Sequence, residues 1–201
     1  MNTLRFSIAG KTNLSLWSST VSDEQLILSR QRVKNFGEVF TPSKVVKEMC
    51  DLIQAECYDE KNTFLEPSCG TGNFLVEILS RKLSTIIADG DSDKETEEKF
   101  YMALGSIYGV DLQDDNVKQC QSRLQELAET MAYGIGLSIS KTVVSSILQS
   151  NIRCADALKD TVLFAKVSVN KTGVVLKYHA VNLQNGNSEY KFSVGVAVWH
   201  L

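Results

Sequence analysis

Gly70 and Gly72 stand two apart in the run Phe64-Leu65-Glu66-Pro67-Ser68-Cys69-Gly70-Thr71-Gly72-Asn73-Phe74-Leu75, which continues into Val76, Ile78 and Leu79. An apolar pair, an acid–proline step, a glycine turn and an amphipathic run read as strand, tight loop and helix. The two glycines permit backbone angles that a side chain forbids and let a ligand approach the main chain. The helix that follows opens with unpaired N–H donors. On an open α/β sheet such a loop is the entrance to a nucleotide-type site. A tight strand-to-helix turn without a ligand would use the same glycines.

A second acid stands at a fitting place. Ser106-Ile107-Tyr108-Gly109-Val110-Asp111-Leu112 reads as the second strand, ending in Asp111. An acid there can accept both ribose hydroxyls of an adenosine ligand, or it can cap the next helix. Asp114 and Asp115 are the better capping candidates, which leaves Asp111 for the ribose. Val117, Cys120, Leu124, Leu127, Ala128 and Met131 mark the buried face of that helix. The gap from Gly72 to Asp111 exceeds the ~20 residues usual in dinucleotide folds. An acidic stretch over 84–100 accounts for the excess.

Other elements must position these residues. Thr41-Pro42 predicts a helix start, a capping hydroxyl followed by proline at the first helical position. Val45, Val46, Met49, Leu52 and Ile53 then predict a helix lying on the core. Before it, Arg30, Arg32 and Lys34 form a basic cluster, read as a solvated loop or a phosphate contact. In 84–100, six acids face only Lys94 and Lys99. The spacing lacks the glycine and terminal glutamate of a calcium loop, so a solvated, mobile insertion is expected. Residues 134–150 read as a loop with a short helix or strand. Leu4–Ala9 alternates like a strand, and Asp23–Leu28 could be a short helix.

The bounds from composition are ordinary. The chain has 201 residues, 43% of them hydrophobic and 22% charged, with a net charge of −3. That suits one globular α/β domain and argues against a strongly basic nucleic-acid binder, though a local basic face would suffice. Cys50, Cys57, Cys69, Cys120 and Cys154 lack C-x-x-C spacing and read as reduced thiols, with no metal site expected. No apolar run suggests a leader or a membrane span, so a cytoplasmic protein is expected.

The E-P-S-C-G-T-G-N-F string resembles the cofactor motif of S-adenosylmethionine-dependent adenine-N6 DNA methyltransferases, the enzymes of restriction-modification systems. F-G-E-V-F-T-P-x-x-V-V-x-x-M and Y-G-V-D-L resemble the same family. The resemblance covers about residues 33–160 and implies S-adenosylmethionine as cofactor. It implies that Phe40, Thr41 and Pro42 lie beside the methionine moiety, that Glu66 reaches toward the methionine end, and that Phe74 packs near it. Pro67, Gly70, Gly72, Asp111 and Leu112 complete the cofactor motifs. Asn151–Leu158 resembles the third motif, in which Asp156 would accept from the adenine amino group beside Ala157.

The resemblance stops at the chemical half. The family's next strand should end in Asn/Asp-Pro-Pro-Tyr/Phe, which holds the flipped adenine. The chain has two prolines, Pro42 and Pro67, and no such motif, so no catalytic residue is assigned. His179 and His200 read as sheet or surface residues. Val162–Val169, Val174–Val181 and Lys191–Leu201 alternate at period two between turns at Asn170–Gly173 and Asn185–Asn187, which predicts a three-stranded antiparallel meander. The expected architecture is therefore a cap (1–32), a doubly wound, Rossmann-like methyltransferase domain (33–160) and a β-rich segment (161–201). The expected function is a shortened adenine-N6 DNA methyltransferase that acts on DNA with a partner, a methyltransferase or specificity subunit. A non-catalytic cofactor-binding regulator and a methyltransferase on another substrate are the alternatives.

Overall fold

A computed structural model describes residues 27–171, 173–184 and 193–199. The strand expected at Leu4–Ala9, most of the helix expected at Asp23–Leu28 and the Asn185–Asn187 turn lie outside them. Ile27 and Leu28 are described and are not helical.

Three short parallel strands hold the centre: β1 (Phe64–Glu66), β2 (Ile107–Asp111) and β3 (Ile152–Cys154), in the order β1-β2-β3. Helices make each crossover. Between β1 and β2 lie α4 (Asn73–Asp89) and α5 (Asp93–Gly105); between β2 and β3 lie α6 (Asp114–Gly134) and α7 (Lys141–Asn151). Parallel strands need such crossovers because no tight turn can return the chain to the same edge. Ahead of the sheet come α1 (Arg30–Phe36), α2 (Ser43–Leu52) and α3 (Gln54–Tyr58).

The expected meander is present as a second sheet, β4 (Thr161–Asn170), β5 (Gly173–Asn182) and β6 (Ser193–Trp199), antiparallel throughout. Its Ala165, Val167, Val174 and Leu176 share one buried core with Leu79, Phe100 and Ile147 of the helices. The edge of one ring in the Tyr108–Phe164 pair meets the other's face, with centroids 5.3 Å apart, joining β2 to β4.

The stretch expected to be a mobile insertion is instead ordered. Helix α4 runs on to Asp89, and α5 opens with a reciprocal capping box between Ser92 and Glu95. Its acids cluster in the first turn, where they favour the helix dipole. Phe100, Tyr101 and Leu104 fill the core behind them, and Lys99 Nζ bridges Asp89 and Asp91 at 2.9 and 2.6 Å. Residues 134–150 likewise hold the end of α6 and most of α7, capped by the Ser140 hydroxyl.

Helix α2 departs from its expected burial. It begins at Ser43 with Pro42 as N-cap and no side-chain cap, so the Thr41 hydroxyl does not cap it. Only Val46 and Cys50 are buried; Val45, Met49, Leu52 and Ile53 are exposed. The cluster Arg30–Lys34 is helical rather than a loop.

Candidate functional site

Four loops converge where the parallel strands end: 37–41 before α2, the glycine loop after β1, 111–113 after β2 and 155–158 after β3. They enclose a cleft of about 460 Å³, within the range of small-molecule sites. Phe40, Thr41, Glu66, Pro67, Gly70, Phe74, Asp111, Leu112, Asp156 and Ala157 all line it. Pro42 and Gly72 do not: Pro42 caps α2 and Gly72 is buried behind the loop.

The glycine loop is built by close packing. Both glycines have positive φ, 51° at Gly70 and 86° at Gly72. A Cβ on Gly70 would lie 3.1 Å from the Phe40 ring, and one on Gly72 would collide with Cys120 Sγ. The loop is tied to β2 by Cys69 N–H donating to Val110 O at 2.8 Å. Helix α4 then starts at Asn73 with no side-chain cap, leaving its first N–H groups facing the loop.

Asp111 is not left free of local work, and Asp114 and Asp115 do not cap α6: the N-cap is Gln113 with no side-chain bond. Instead Asp111 Oδ2 accepts the Gly70 N–H at 2.8 Å, and Oδ1 accepts the Gln113 N–H at 2.9 Å and Asn116 Nδ2 at 3.1 Å. A carboxylate has about four acceptor sites, so one remains.

Glu38, Asn73, Asn116 and Arg123, to which the sequence assigned no role, hold the cleft walls together with Arg32 of the basic cluster. Arg32 donates to both Glu38 oxygens, Nε to Oε1 at 2.8 Å and Nη2 to Oε2 at 2.6 Å, and reaches Asp115 at 2.5 Å. Glu38 also accepts from Asn116 Nδ2 at 3.0 Å. The pair with Arg32 holds the Asp115 carboxyl below its ordinary value. Arg32 is therefore an internal clamp rather than a phosphate contact. On the far side, Arg123 Nη1 donates to Thr71 O at 2.6 Å and Asn73 Oδ1 at 2.8 Å, while Asn73 Nδ2 donates to Thr41 O at 2.9 Å. The chain Arg123–Asn73–Thr41 locks the glycine loop to α6 and to the Phe-Thr-Pro turn. Burial pushes the Arg123 guanidinium below its usual range.

The remaining acids differ in state. Burial raises the Glu66 carboxyl, opposed by the Ser68 N–H it accepts. Asp156 is held low by Lys159 at 2.9 Å and by the Leu158 N–H. Among the described residues no group of His, Cys, Asp and Glu could hold a metal ion, and no helix is long and apolar enough to cross a membrane.

The profile of a family described as N-6 DNA Methylase matches residues 24–125, just over half of the chain. The chain belongs to the N-6 DNA methylase family. The matched stretch runs from before α1 into α6 and includes both glycine-loop walls, Asp111 and Arg123. The chain is also 28% identical over 100 residues to the Type II methyltransferase M.VspI of Vibrio sp. (strain 343). That match covers 50% of this chain and 19% of the relative, so the matched stretch spans about a fifth of that methyltransferase's length.

Proposed function

We propose that this N-6 DNA methylase chain binds S-adenosylmethionine in the cleft at the carboxyl ends of β1, β2 and β3, on a doubly wound methyltransferase fold. The carrying observation is the convergence of Phe40, Glu66, Gly70, Phe74, Asp111 and Asp156 on one cleft. They come from four separate loops, and open α/β sheets bind ligands at this edge. The residues suit the group. The close approach of Gly70 to Phe40 leaves bare backbone at the loop, and the α4 N-terminus adds donors. Asp111 keeps one acceptor site, which would suit a ribose hydroxyl, and Asp156, on the cleft wall, would accept from an adenine amino group. Glu66, raised by burial, would reach toward the methionine end, as the family resemblance implies. When bound, the cofactor supplies an activated methyl group.

The acceptor in this reading is adenine N6 in DNA, as in restriction-modification, and the protein works in the cytoplasm. In this reading a partner, a methyltransferase or specificity subunit, supplies the base pocket; residues 1–201 hold no Asn-Pro-Pro-Tyr string. The test is incubation of the purified chain with methyl-tritiated S-adenosylmethionine and unmethylated DNA, with ultraviolet cross-linking in parallel. Cofactor cross-linking to the chain without label in DNA is the expected result. Robust labelling of adenine N6 by the chain alone would contradict the division of labour.

A further inference from the structure

We infer that Glu38 is a second acceptor for the ribose of the bound cofactor, so that the two adjacent hydroxyls are divided between Glu38 and Asp111 rather than taken together by Asp111. This rests on the reading above, in which the cleft holds S-adenosylmethionine, and it names a residue that sets specificity for the sugar.

Asp111 has too few open acceptor sites for both hydroxyls. Each carboxylate oxygen takes about two donors. Oδ1 already accepts the Gln113 N–H and Asn116 Nδ2, and Oδ2 accepts the Gly70 N–H. One site remains, on Oδ2. A ribose presents two donors on neighbouring carbons, so the other needs an acceptor close by.

Glu38 supplies it. This acid comes from the loop before α2 and lines the same cleft as Asp111. Asn116 Nδ2 lies 3.0 Å from Glu38 Oε2 and 3.1 Å from Asp111 Oδ1, so one NH₂ group joins the two acids. Arg32 Nη2 also donates to Oε2, at 2.6 Å, while Arg32 Nε is shared between Oε1 at 2.8 Å and Oε2 at 3.0 Å. Oε2 is thereby filled, and Oε1 keeps one site. Two walls of the cleft thus offer one open acceptor each, on acids held by the same amide. A carboxylate accepts and does not donate, so the ligand group that matches is a pair of adjacent hydroxyls.

The pairing is held against local cost. Asn116 is 1% exposed, and its Oδ1 is buried with no partner among the described residues. An orphaned buried acceptor is destabilising. Turning the amide over would aim that oxygen at both carboxylates, so the NH₂ stays between them. Two carboxylates brought together repel, and the Arg32 guanidinium offsets this from the Glu38 side.

The test titrates the full chain by calorimetry with S-adenosylmethionine and with the two analogues that each lack one ribose hydroxyl. The unaltered chain is compared with Glu38→Gln, Glu38→Asp and Asp111→Asn, with helix content checked by circular dichroism. The unaltered chain is expected to bind each analogue about tenfold or more weakly than the parent, the loss of one hydrogen bond to a charged group. In Glu38→Gln one of these two penalties shrinks several-fold while the other stays. In Asp111→Asn the opposite one shrinks. Glu38→Asp keeps the charge for Arg32 and draws the carboxylate back by one methylene, so it repeats the Glu38→Gln pattern and serves where that variant does not fold. Lower affinity in the Glu38 variants with both penalties unchanged would reduce Glu38 to a support of the loop and overturn the inference. Both penalties shrinking together in Asp111→Asn would overturn it too. No binding of S-adenosylmethionine by the unaltered chain would instead sink the cofactor reading, and the inference with it.

Discussion

Asp111 Oδ2 accepts the backbone N–H of Gly70 at 2.8 Å, across 41 positions of sequence. The acid at the tip of the second strand thereby holds the glycine loop of the first. An amide in its place keeps one acceptor but presents an NH₂ to an N–H. Asp111→Asn is expected to lose about 1–3 kcal/mol, the cost of leaving a buried donor unpaired. Urea unfolding checks this, and an unchanged midpoint would show that the bond carries no weight.

Arg123 reaches the same loop from α6. One of its nitrogens serves Thr71 O and Asn73 Oδ1. Arg123→Met keeps much of the stem and removes the donors. The expected outcome is unchanged helix content by circular dichroism with cofactor affinity about tenfold weaker, roughly 1.4 kcal/mol. Equal affinity would mean that the loop holds its shape without the clamp.

Gly72 meets two constraints, a φ of 86° and the nearby Cys120 sulfur. Gly72→Ala should destabilise by several kcal/mol, of which about 1–2 comes from the left-handed backbone and the rest from overlap. Adding Cys120→Ala removes the sulfur and should recover the overlap part only. Urea midpoints of the two single variants and the double variant test this. Additive losses would contradict it.

Lys82 is fully buried, and its ammonium donates to Asp59 O at 2.7 Å and Asn62 O at 2.6 Å. Burial pushes it down to about 8, against ~10.4 in an unfolded chain. Between these values the unfolded chain holds the extra proton, so this group makes stability rise with pH, on the order of 3 kcal/mol in all. Buried thiols act oppositely. Cys50 is raised to about 12 by burial, so its contribution falls once unfolded thiols ionise near ~8.5. Lys82→Met should therefore lose melting temperature relative to wild type as pH climbs from 8 to 10. A parallel pair of melting curves would refute the titration of Lys82.

Much of the site was legible because its parts are local. The glycine loop, the Phe-Thr-Pro turn and the acid ending β2 are short strings whose order follows from strand-loop-helix chemistry. The buried face of α6 followed from period, with Leu124, Leu127 and Ala128 in the core. Helix α5 was hidden by its acids. The Ser92–Glu95 capping box and the Phe100-Tyr101-Leu104 face were visible signals, outweighed by the charge run. Glu38 and Arg123 act on partners 78 and 50 residues away, which no local pattern records. The α2 stripe reads as a core face and is exposed, because periodicity marks an apolar face without saying what covers it.

The most direct measurement is a calorimetric titration of the chain with S-adenosylmethionine, beside Asp111→Ala. Binding in the micromolar range, lost in the variant, is the expected result and would establish the cleft as a working cofactor site. A folded chain that takes up no cofactor would contradict it, leaving the glycine loop as a structural turn.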